Sequence, residues 1–321
     1  MVRAIALAGM LAGCFSAHPV PGAPCTDTHE CPSGLMCIAN QCDRAGASDA
    51  AHDDAGLDPD AVPADAAIAG PNGWFPATPV PGVNTSSNET DPSFTADRLT
   101  IAFTSDRPGG TGGTDLYIGT RGSAADPFVV RELAELDSTA TERSPELSQN
   151  GLTIYFVSNR SGTGVVYQAA RGAITDPFGA PAALSIKSSG GGNANSQMLD
   201  VGFTPDGLQA ITVRNKNVGD QVFGYTVEST GALDTEVALT TLDLGTQASS
   251  PSLDTGGAQV YLDAATPAQI YMAQALGGTF STPTTIDDFN SSGTRNAAPE
   301  IAADNMFIMF ERDGDIVQST K

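Results

Sequence analysis

Short apolar runs bounded by polar turn residues recur about every fifty positions from residue 71 to the C-terminus. Each run begins just after a two-residue turn, and the five turns are Asp97-Arg98, Asn150-Gly151, Asp206-Gly207, Gly256-Gly257 and Asp304-Asn305. Asn-Gly, Asp-Gly and Gly-Gly accept the positive φ of a tight hairpin, so each turn is predicted to join two antiparallel strands. Several runs are apolar along nearly their whole length, which is typical of a strand buried on both faces.

The same frame repeats five times, and each repeat has room for four strands. Anchors at positions 92, 145, 201, 251 and 299 are separated by 53, 56, 50 and 48 residues. After each apolar run comes a third strand, such as Asp115-Leu116-Tyr117-Ile118, and in the early repeats a Phe-led fourth strand, such as Asp126-Pro127-Phe128. Repeats of this length built from strands predict an all-β propeller with five four-stranded antiparallel blades over residues 71–321.

The two ends of the repeat region complement each other. The fifth repeat stops after its third strand, at Lys321, whereas residues 73–80 resemble a fourth strand that precedes the first repeat. We therefore expect the N-terminal strand to complete the last blade, which closes the ring and removes an exposed sheet edge.

The first residues form an export signal. Residues 1–13 combine one basic residue with an apolar run too short to span a bilayer. Leu11-Ala12-Gly13-Cys14 resembles a bacterial lipobox, which implies lipidation of Cys14; an ordinary secretory signal with an incidental cysteine is the alternative. Phe15, where lipoproteins of the inner membrane often carry Asp, favours an exported protein anchored in the outer membrane, on either its periplasmic or its surface side.

Residues 14–43 form a small cysteine-rich module, and residues 44–70 form a linker. The four remaining cysteines, Cys25, Cys31, Cys37 and Cys42, predict two disulfides in an exported chain, with three pairings possible. A zinc knuckle is the rival, but its usual C-x2-C spacing is missing. The linker is rich in Ala and Asp and cannot bury enough apolar surface to fold, so we expect a disordered spacer.

One stretch of the second repeat carries a family resemblance. Residues 144–160, SPELSQNGLTIYFVSNR, look like the WD40-like repeat of TolB-type propellers, as do Asp106-Arg107-Pro108-Gly109-Gly110 and Asp115-Leu116-Tyr117 in the first repeat. The resemblance covers about residues 71–321 and is weakest in the third repeat. It implies an envelope propeller that binds proteins or other envelope components, without implying a single activity.

Composition narrows the possible partners and chemistry. With 37 Asp+Glu against 15 Lys+Arg the net charge is -22, which disfavours a nucleic-acid partner. All three histidines and all five cysteines precede the propeller, so no Ser-His-Asp or Cys-His arrangement and no His-ligated metal can form within it. From this we expect no metal, no cofactor and no enzymatic activity. The pairs Asp106-Arg107 and Asn159-Arg160 recur in successive blades, so we expect them to bond turn carbonyls or a neighbouring carboxylate.

Binding residues are expected where the chain leads into each innermost strand, at one mouth of the central channel. The candidates are Asn88, Glu89, Asp91, Glu142, Arg143, Asn193, Asn195 and Arg295. Their mixed charges and amides suit a loop, peptide or glycan, so the first hypothesis is a monomeric, noncatalytic binding platform for an envelope protein or glycan. A purely structural outer-membrane component is one alternative. A carboxylate-dependent polysaccharide hydrolase or lyase is the other, because two suitably spaced acids suffice and Glu146 and Glu300 also lie near strand starts.

Overall fold

The structure is a computed structural model that describes residues 35–38, 41–44, 69–189, 192–216, 219–244, 249–290 and 293–321. The chain divides into two compact units, Met1–Ala64 and Asp65–Lys321. In the first unit, β1 (Leu35–Ile38) and β2 (Gln41–Arg44) form an antiparallel hairpin in which positions 37 and 42 are register partners. The predictions for the signal peptide, for Cys14, Cys25 and Cys31, and for nearly all of the linker lie outside the described residues.

The second unit is an all-β propeller of five antiparallel sheets, as the repeat predicts. Blade 1 contains β4 (Glu89–Phe94), β5 (Thr100–Ser105), β6 (Asp115–Thr120) and β7 (Val129–Glu132). Blade 2 contains β8 (Glu142–Leu147), β9 (Thr153–Ser158), β10 (Val165–Ala170) and β11 (Ala182–Ala183). Blade 3 contains β12 (Met198–Phe203), β13 (Gln209–Lys216), β14 (Gly219–Val227) and β15 (Leu233–Ala238). Blade 4 contains β16 (Ser249–Leu253), β17 (Gln259–Ala264), β18 (Gln269–Leu276), β19 (Thr279–Phe280) and β20 (Thr284–Thr285). Blade 5 contains β21 (Asn296–Ile301), β22 (Phe307–Arg312), β23 (Asp315–Thr320) and β3 (Thr78–Pro79).

The predicted hairpin turns between the first two strands of each blade are confirmed. The second turn residue has a positive φ in every blade: 58° at Arg98, 67° at Gly151, 69° at Gly207, 66° at Gly257 and 58° at Asn305. In blade 1 the Asp97 carboxylate accepts the Leu99 N–H at 3.0 Å and the Thr95 hydroxyl at 2.6 Å, so the turn is fixed by its own side chain.

The predicted closure of the ring is also confirmed. Thr78 pairs with Gln318, and Pro79 pairs with Val317 as the outermost strand of blade 5, an edge position where proline is tolerated. The strand is shorter than residues 73–80 because Trp74 turns inward: its ring is buried and lies 5.5 Å from that of Phe289. The N-terminal segment therefore contributes both a strand and a core residue.

Apolar clusters fill the spaces between neighbouring blades, and a polar bridge is repeated beside them. An Asn or Asp in the loop before each blade accepts a backbone N–H from the third strand of the preceding blade. The bridging residues are Asn84, Asp137, Asn195, Asp243 and Asn290. Among the described residues no helix is both long enough and apolar enough to cross a membrane.

The fourth strands differ from the prediction in one respect. Phe128 and Phe178 do not begin these strands; each is buried just before its strand, under the guanidinium of Arg121 or Arg171 at 4.3 or 4.4 Å. Each ring packs against an arginine, and the fourth strands begin at later residues, Val129 in blade 1 and Ala182 in blade 2.

Candidate functional site

The first strands of the blades surround a central channel that holds a cavity of about 20 Å³. At this level lie Asp91, Ser144, Asp200, Ser250 and Ala298, and all but Asp200 have a positive φ of 48° to 51° at a strand irregularity. The volume suits about one water molecule. A sugar ring or a peptide therefore does not fit inside this cavity.

The channel is lined with carboxyl groups that have no ion-pair partner among the described residues. Burial raises the pKa of Asp200 to about 7 and that of Glu300 to about 8. Burial, together with the charge of Glu300, raises the pKa of Glu146 well above its usual value. These acids are held by neutral donors instead: the Ser252 hydroxyl donates to Glu300 at 2.7 Å.

Glu146 also reaches a second, larger cavity on the face of the molecule that carries the hairpin turns. We call it the hairpin-face pocket; it lies between blades 2 and 3 and has a volume of about 250 Å³. One wall is an aromatic pair, Tyr155 and Phe203, whose ring centroids lie 4.2 Å apart with planes at 28°. Gln149 and Asp206 contribute polar groups to the rim. The pocket therefore combines an aromatic wall, polar rim groups and a carboxyl group with a raised pKa.

Glu89 and Glu142, two of the predicted binding residues, lie in repeated polar networks that we call the arginine clamps. In the blade 1 clamp, the fully buried Glu89 accepts hydrogen bonds from Arg107 at 3.0 Å, from Ser105 at 3.0 Å and from Thr85 at 2.7 and 2.8 Å. Arg107 also donates to the Val83 carbonyl. The side chain of Glu89 is thus fully occupied by the protein.

Blade 2 repeats the same clamp. Glu142 accepts bonds from Ser138 and Ser158 at 2.6 Å and from Arg160 at 3.2 Å, while Arg160 donates to the Leu136 carbonyl. The prediction that Arg107 and Arg160 bond turn carbonyls and a neighbouring carboxylate is confirmed.

Two other candidates also anchor neighbouring backbone. The Arg143 guanidinium donates to the carbonyls of Met198 at 2.9 Å and Leu199 at 3.3 Å, which ties blade 2 to blade 3. Asn195 is buried, and its amide donates to the Val166 carbonyl at 2.8 Å. Both side chains therefore have a role within the fold.

Of the remaining candidates, Asp91 lines the cavity in the channel, whereas Asn88, Asn193 and Arg295 are exposed at the mouth opposite the hairpin turns, as the strand directions predict. Asn88 donates to Asp106 at 2.7 Å, and Arg295 forms an ion pair with the buried Glu311. Asn193 accepts the backbone N–H of a neighbouring loop residue. Whether this mouth contacts a partner stays a prediction.

The sequence reasoning missed the aromatic pair. Phe203 aligns with Phe94, Leu147, Leu253 and Ile301, which are all buried, whereas Phe203 is only partly buried. The third repeat was the weakest match, and this departure from the common pattern was the available signal. Tyr155 aligns with Ala102, and the sequence predicts only that it lies in a strand.

The described residues contain one group of three carboxylates close enough to hold a metal ion. Oxygens of Asp115, Asp137 and Glu142 lie within 4.8 Å of one another. Glu142 is already occupied by four protein donors, and Asp115 accepts the Gly112 N–H at 2.9 Å. A metal would have to replace these bonds, so we assign the group to the scaffold.

Comparisons with known proteins agree on the fold. No protein-family model and no curated protein matches the chain. The alpha-L-arabinofuranosidase from Lactobacillus brevis is similar with a TM-score of 0.52 and 12% identity, covering 76% of this chain and 92% of that one. The catalytic domain of the Coprinopsis cinerea GH62 alpha-L-arabinofuranosidase has a TM-score of 0.50 and 13% identity, covering 77% and 96%. A putative TolB from Agrobacterium tumefaciens has a TM-score of 0.47 and 15% identity, covering 70% of each chain.

These likenesses correct one expectation. The prediction that the propeller is not an enzyme is wrong, because proteins with a similar fold include arabinofuranosidases, so the fold does not exclude an enzyme. The missing histidines and cysteines exclude triads and His-bound metals, but they leave carboxylate chemistry available, and the channel of this chain is lined with carboxyl groups. At such low identity the similarity shows the fold and no activity.

Proposed function

We propose that this chain is a glycan-binding protein and that the hairpin-face pocket holds one sugar unit of the ligand. The observation that carries the proposal is the stacked pair of Tyr155 and Phe203 beside the carboxyl group of Glu146. An aromatic wall buries the apolar face of a sugar, while hydroxyl, amide and carboxyl groups bond its rim.

The size and charge of the pocket support a small, uncharged unit. A volume of about 250 Å³ lies below the roughly 300–1,000 Å³ of pockets that bury drug-sized ligands. Asp206 on the rim and the net charge of -22 disfavour an acidic sugar. An exported, lipid-anchored protein, as the sequence predicts, would meet such glycans in the cell envelope.

The test is binding of neutral oligosaccharides to the full chain by calorimetry, with Phe203→Ala and Gln149→Ala as pocket variants. We expect Phe203→Ala to weaken binding by about tenfold, which corresponds to about 1.4 kcal/mol. Phe75→Ala removes an exposed ring that does not line the pocket and serves as the control. Equal affinities for the wild type, Phe203→Ala and Gln149→Ala would contradict the proposal.

A second candidate function is hydrolysis of the bound glycan. It is favoured by Glu146, an acid that lines the pocket and whose pKa is raised well above its usual value by burial and by the charge of Glu300. Release of reducing sugar from a bound oligosaccharide, lost in Glu146→Gln while binding persists, would support it. If the wild type bound the oligosaccharide without hydrolysing it, the hydrolysis hypothesis would be wrong and the binding function would remain.

A further inference from the structure

A second groove, between blades 1 and 2, gathers positive charge on a strongly acidic protein. It has a volume of about 430 Å³ and is lined by three arginines, Arg121, Arg131 and Arg171. The chain has only 15 Lys+Arg against 37 Asp+Glu, so three guanidinium groups at one groove depart from the overall charge. The groove is separate from the hairpin-face pocket, which lies between blades 2 and 3.

Arg171 is the least exposed of the three arginines, and part of its guanidinium has no partner. Its side chain packs over the ring of Phe178 at 4.4 Å, and its Nε donates to the Gly151 carbonyl at 2.8 Å. Arg171 is only 8% exposed, and its Nη2 is buried without a hydrogen-bond acceptor among the described residues. A buried charged donor without an acceptor is costly, so an acceptor in the groove would relieve that cost.

The equivalent arginine of blade 1, Arg121, shows which contacts of Arg171 belong to the fold and which do not. Arg121 and Arg171 begin the same motif, Arg-Gly-x3-Asp-Pro-Phe, at residues 121–128 and 171–178. Arg121 likewise packs over Phe128 and donates from Nε to the Arg98 carbonyl at 2.9 Å. Its Nη1 then donates to the Ala124 carbonyl at 3.0 Å. The shared motif thus explains the ring contact and the Nε bond, but not the unpartnered Nη2 of Arg171.

The acidic groups near the groove are largely occupied. Asp97, which also lines it, accepts the Leu99 N–H and the Thr95 hydroxyl. Arg131 is half exposed and forms a salt bridge with Glu135 at 3.1 Å on the surface. Such an exposed pair contributes little and can exchange Glu135 for another anion.

Burial and the nearby positive charge of Arg131 lower the pKa of Arg171, while Glu135 and Asp176 partly offset these effects. An arginine remains protonated in spite of such a shift, so its charge persists in the groove.

We infer that the groove between blades 1 and 2 binds an oxyanion, a phosphate or carboxylate group, through Nη2 of Arg171 and the guanidinium of Arg131. Arginine suits this role because its planar donors match the geometry of both groups. The anionic group would belong to a larger ligand, because the groove is much larger than one ion.

The test is titration of the full chain with inorganic phosphate and, separately, with acetate, followed through the arginine side-chain signals in NMR spectra. We expect saturable shifts with at least one anion, and a loss of affinity of about tenfold in Arg131→Gln. Saturation by phosphate alone would identify a phosphorylated ligand, and saturation by acetate would identify a carboxylated one. Arg171→Lys keeps the charge but lacks Nη2, so it should weaken binding even where the fold is unchanged.

Lys187→Gln is the matched control, since it removes one positive charge whose salt bridges to Glu228 and Asp234 involve no groove residue. Its affinity should equal that of the wild type. No saturation with either anion, or equal affinities of Lys187→Gln and Arg131→Gln, would overturn the inference. Because glycan binding depends on other residues, its failure in the earlier experiment would not affect this result.

Discussion

Glu142 and Glu146 are four residues apart on β8, yet their surroundings differ in kind. Glu142 is paired with Arg160 and two serines in a clamp that blade 1 repeats around Glu89. Glu146 lines the channel and the hairpin-face pocket, where its carboxyl group accepts the Phe203 N–H at 3.4 Å and has no ion-pair partner among the described residues. The acid that blade 1 repeats is compensated by arginine, whereas Glu146 and its blade 5 equivalent, Glu300, have no ion-pair partner among the described residues. This difference indicates that the clamps serve the fold and that the channel acids are retained at a cost to stability.

The largest effect is expected from breaking a clamp. Glu142→Ala leaves the Arg160 guanidinium and the hydroxyls of Ser138 and Ser158 without their acceptor. Removing one partner of a buried ion pair costs about 3–5 kcal/mol, so the free energy of unfolding should fall by that amount in urea titrations.

Glu228→Ala provides the comparison, because it removes one exposed partner of Lys187. Its cost should stay below about 1 kcal/mol. If the two variants were equally stable, the clamps would not be the structural element proposed here.

The clamps also show how far sequence reasoning reaches. Blade number, hairpin turns, ring closure and the role of Arg107 and Arg160 all follow from repetition, because a residue that recurs in successive blades meets the same neighbours each time. The same reasoning placed Glu89 and Glu142 among the binding candidates, whereas the structure buries both in the clamps; their equivalence in blades 1 and 2 was the signal of a shared internal role. The pocket could not be predicted, because the approach of Tyr155 to Phe203 depends on how two blades with unlike sequences pack.

The second prediction concerns the uncompensated acids in the channel. The pKa of Glu300 is raised by burial to about 8, so the folded protein keeps a proton that the unfolded chain has lost above about pH 4.5. Stability should therefore fall as the pH rises between about 5 and 8, by at most about 1.4 kcal/mol per pH unit from this group.

Glu300→Gln removes this titration while preserving the shape of the side chain. The variant should be more stable than the wild type at pH 8 and similar to it at pH 5, as measured by urea unfolding at both values. Glu228→Gln, an exposed change, should leave the pH dependence as it is. If the free energy of unfolding of Glu300→Gln changed with pH as much as that of the wild type, Glu300 would not be the source of the pH dependence, and its charge would have a favourable partner in the folded protein.

The third prediction concerns the Asn or Asp bridge that is repeated before each blade. At equivalent positions of this bridge, Asn195 has partners for both of its polar atoms, whereas Asp137 has a partner for only one of its oxygens. Where the bridging residue is Asn, as at position 195, its side-chain oxygen accepts the N–H of Val166 and its side-chain nitrogen donates to the carbonyl of the same residue. Asp137 accepts the Leu116 N–H at 3.0 Å, but its Oδ2 is buried without a hydrogen-bond partner among the described residues. Burial raises the pKa of Asp137 to about 7, so below that pH a proton on Oδ2 can replace the missing amide hydrogen.

Exchanging the two residue types tests this directly and should give the smallest of the three effects. Asp137→Asn should raise the free energy of unfolding by about 1–3 kcal/mol at pH 9, because a donor replaces an unpartnered carboxylate oxygen, and should change it little at pH 5. Asn195→Asp should do the reverse, with a loss that grows as the pH rises. Urea titrations of both variants at the two pH values give the comparison. If Asp137→Asn were destabilising at pH 9, the carboxylate of Asp137 would have a favourable partner and would belong with the compensated acids of the clamps.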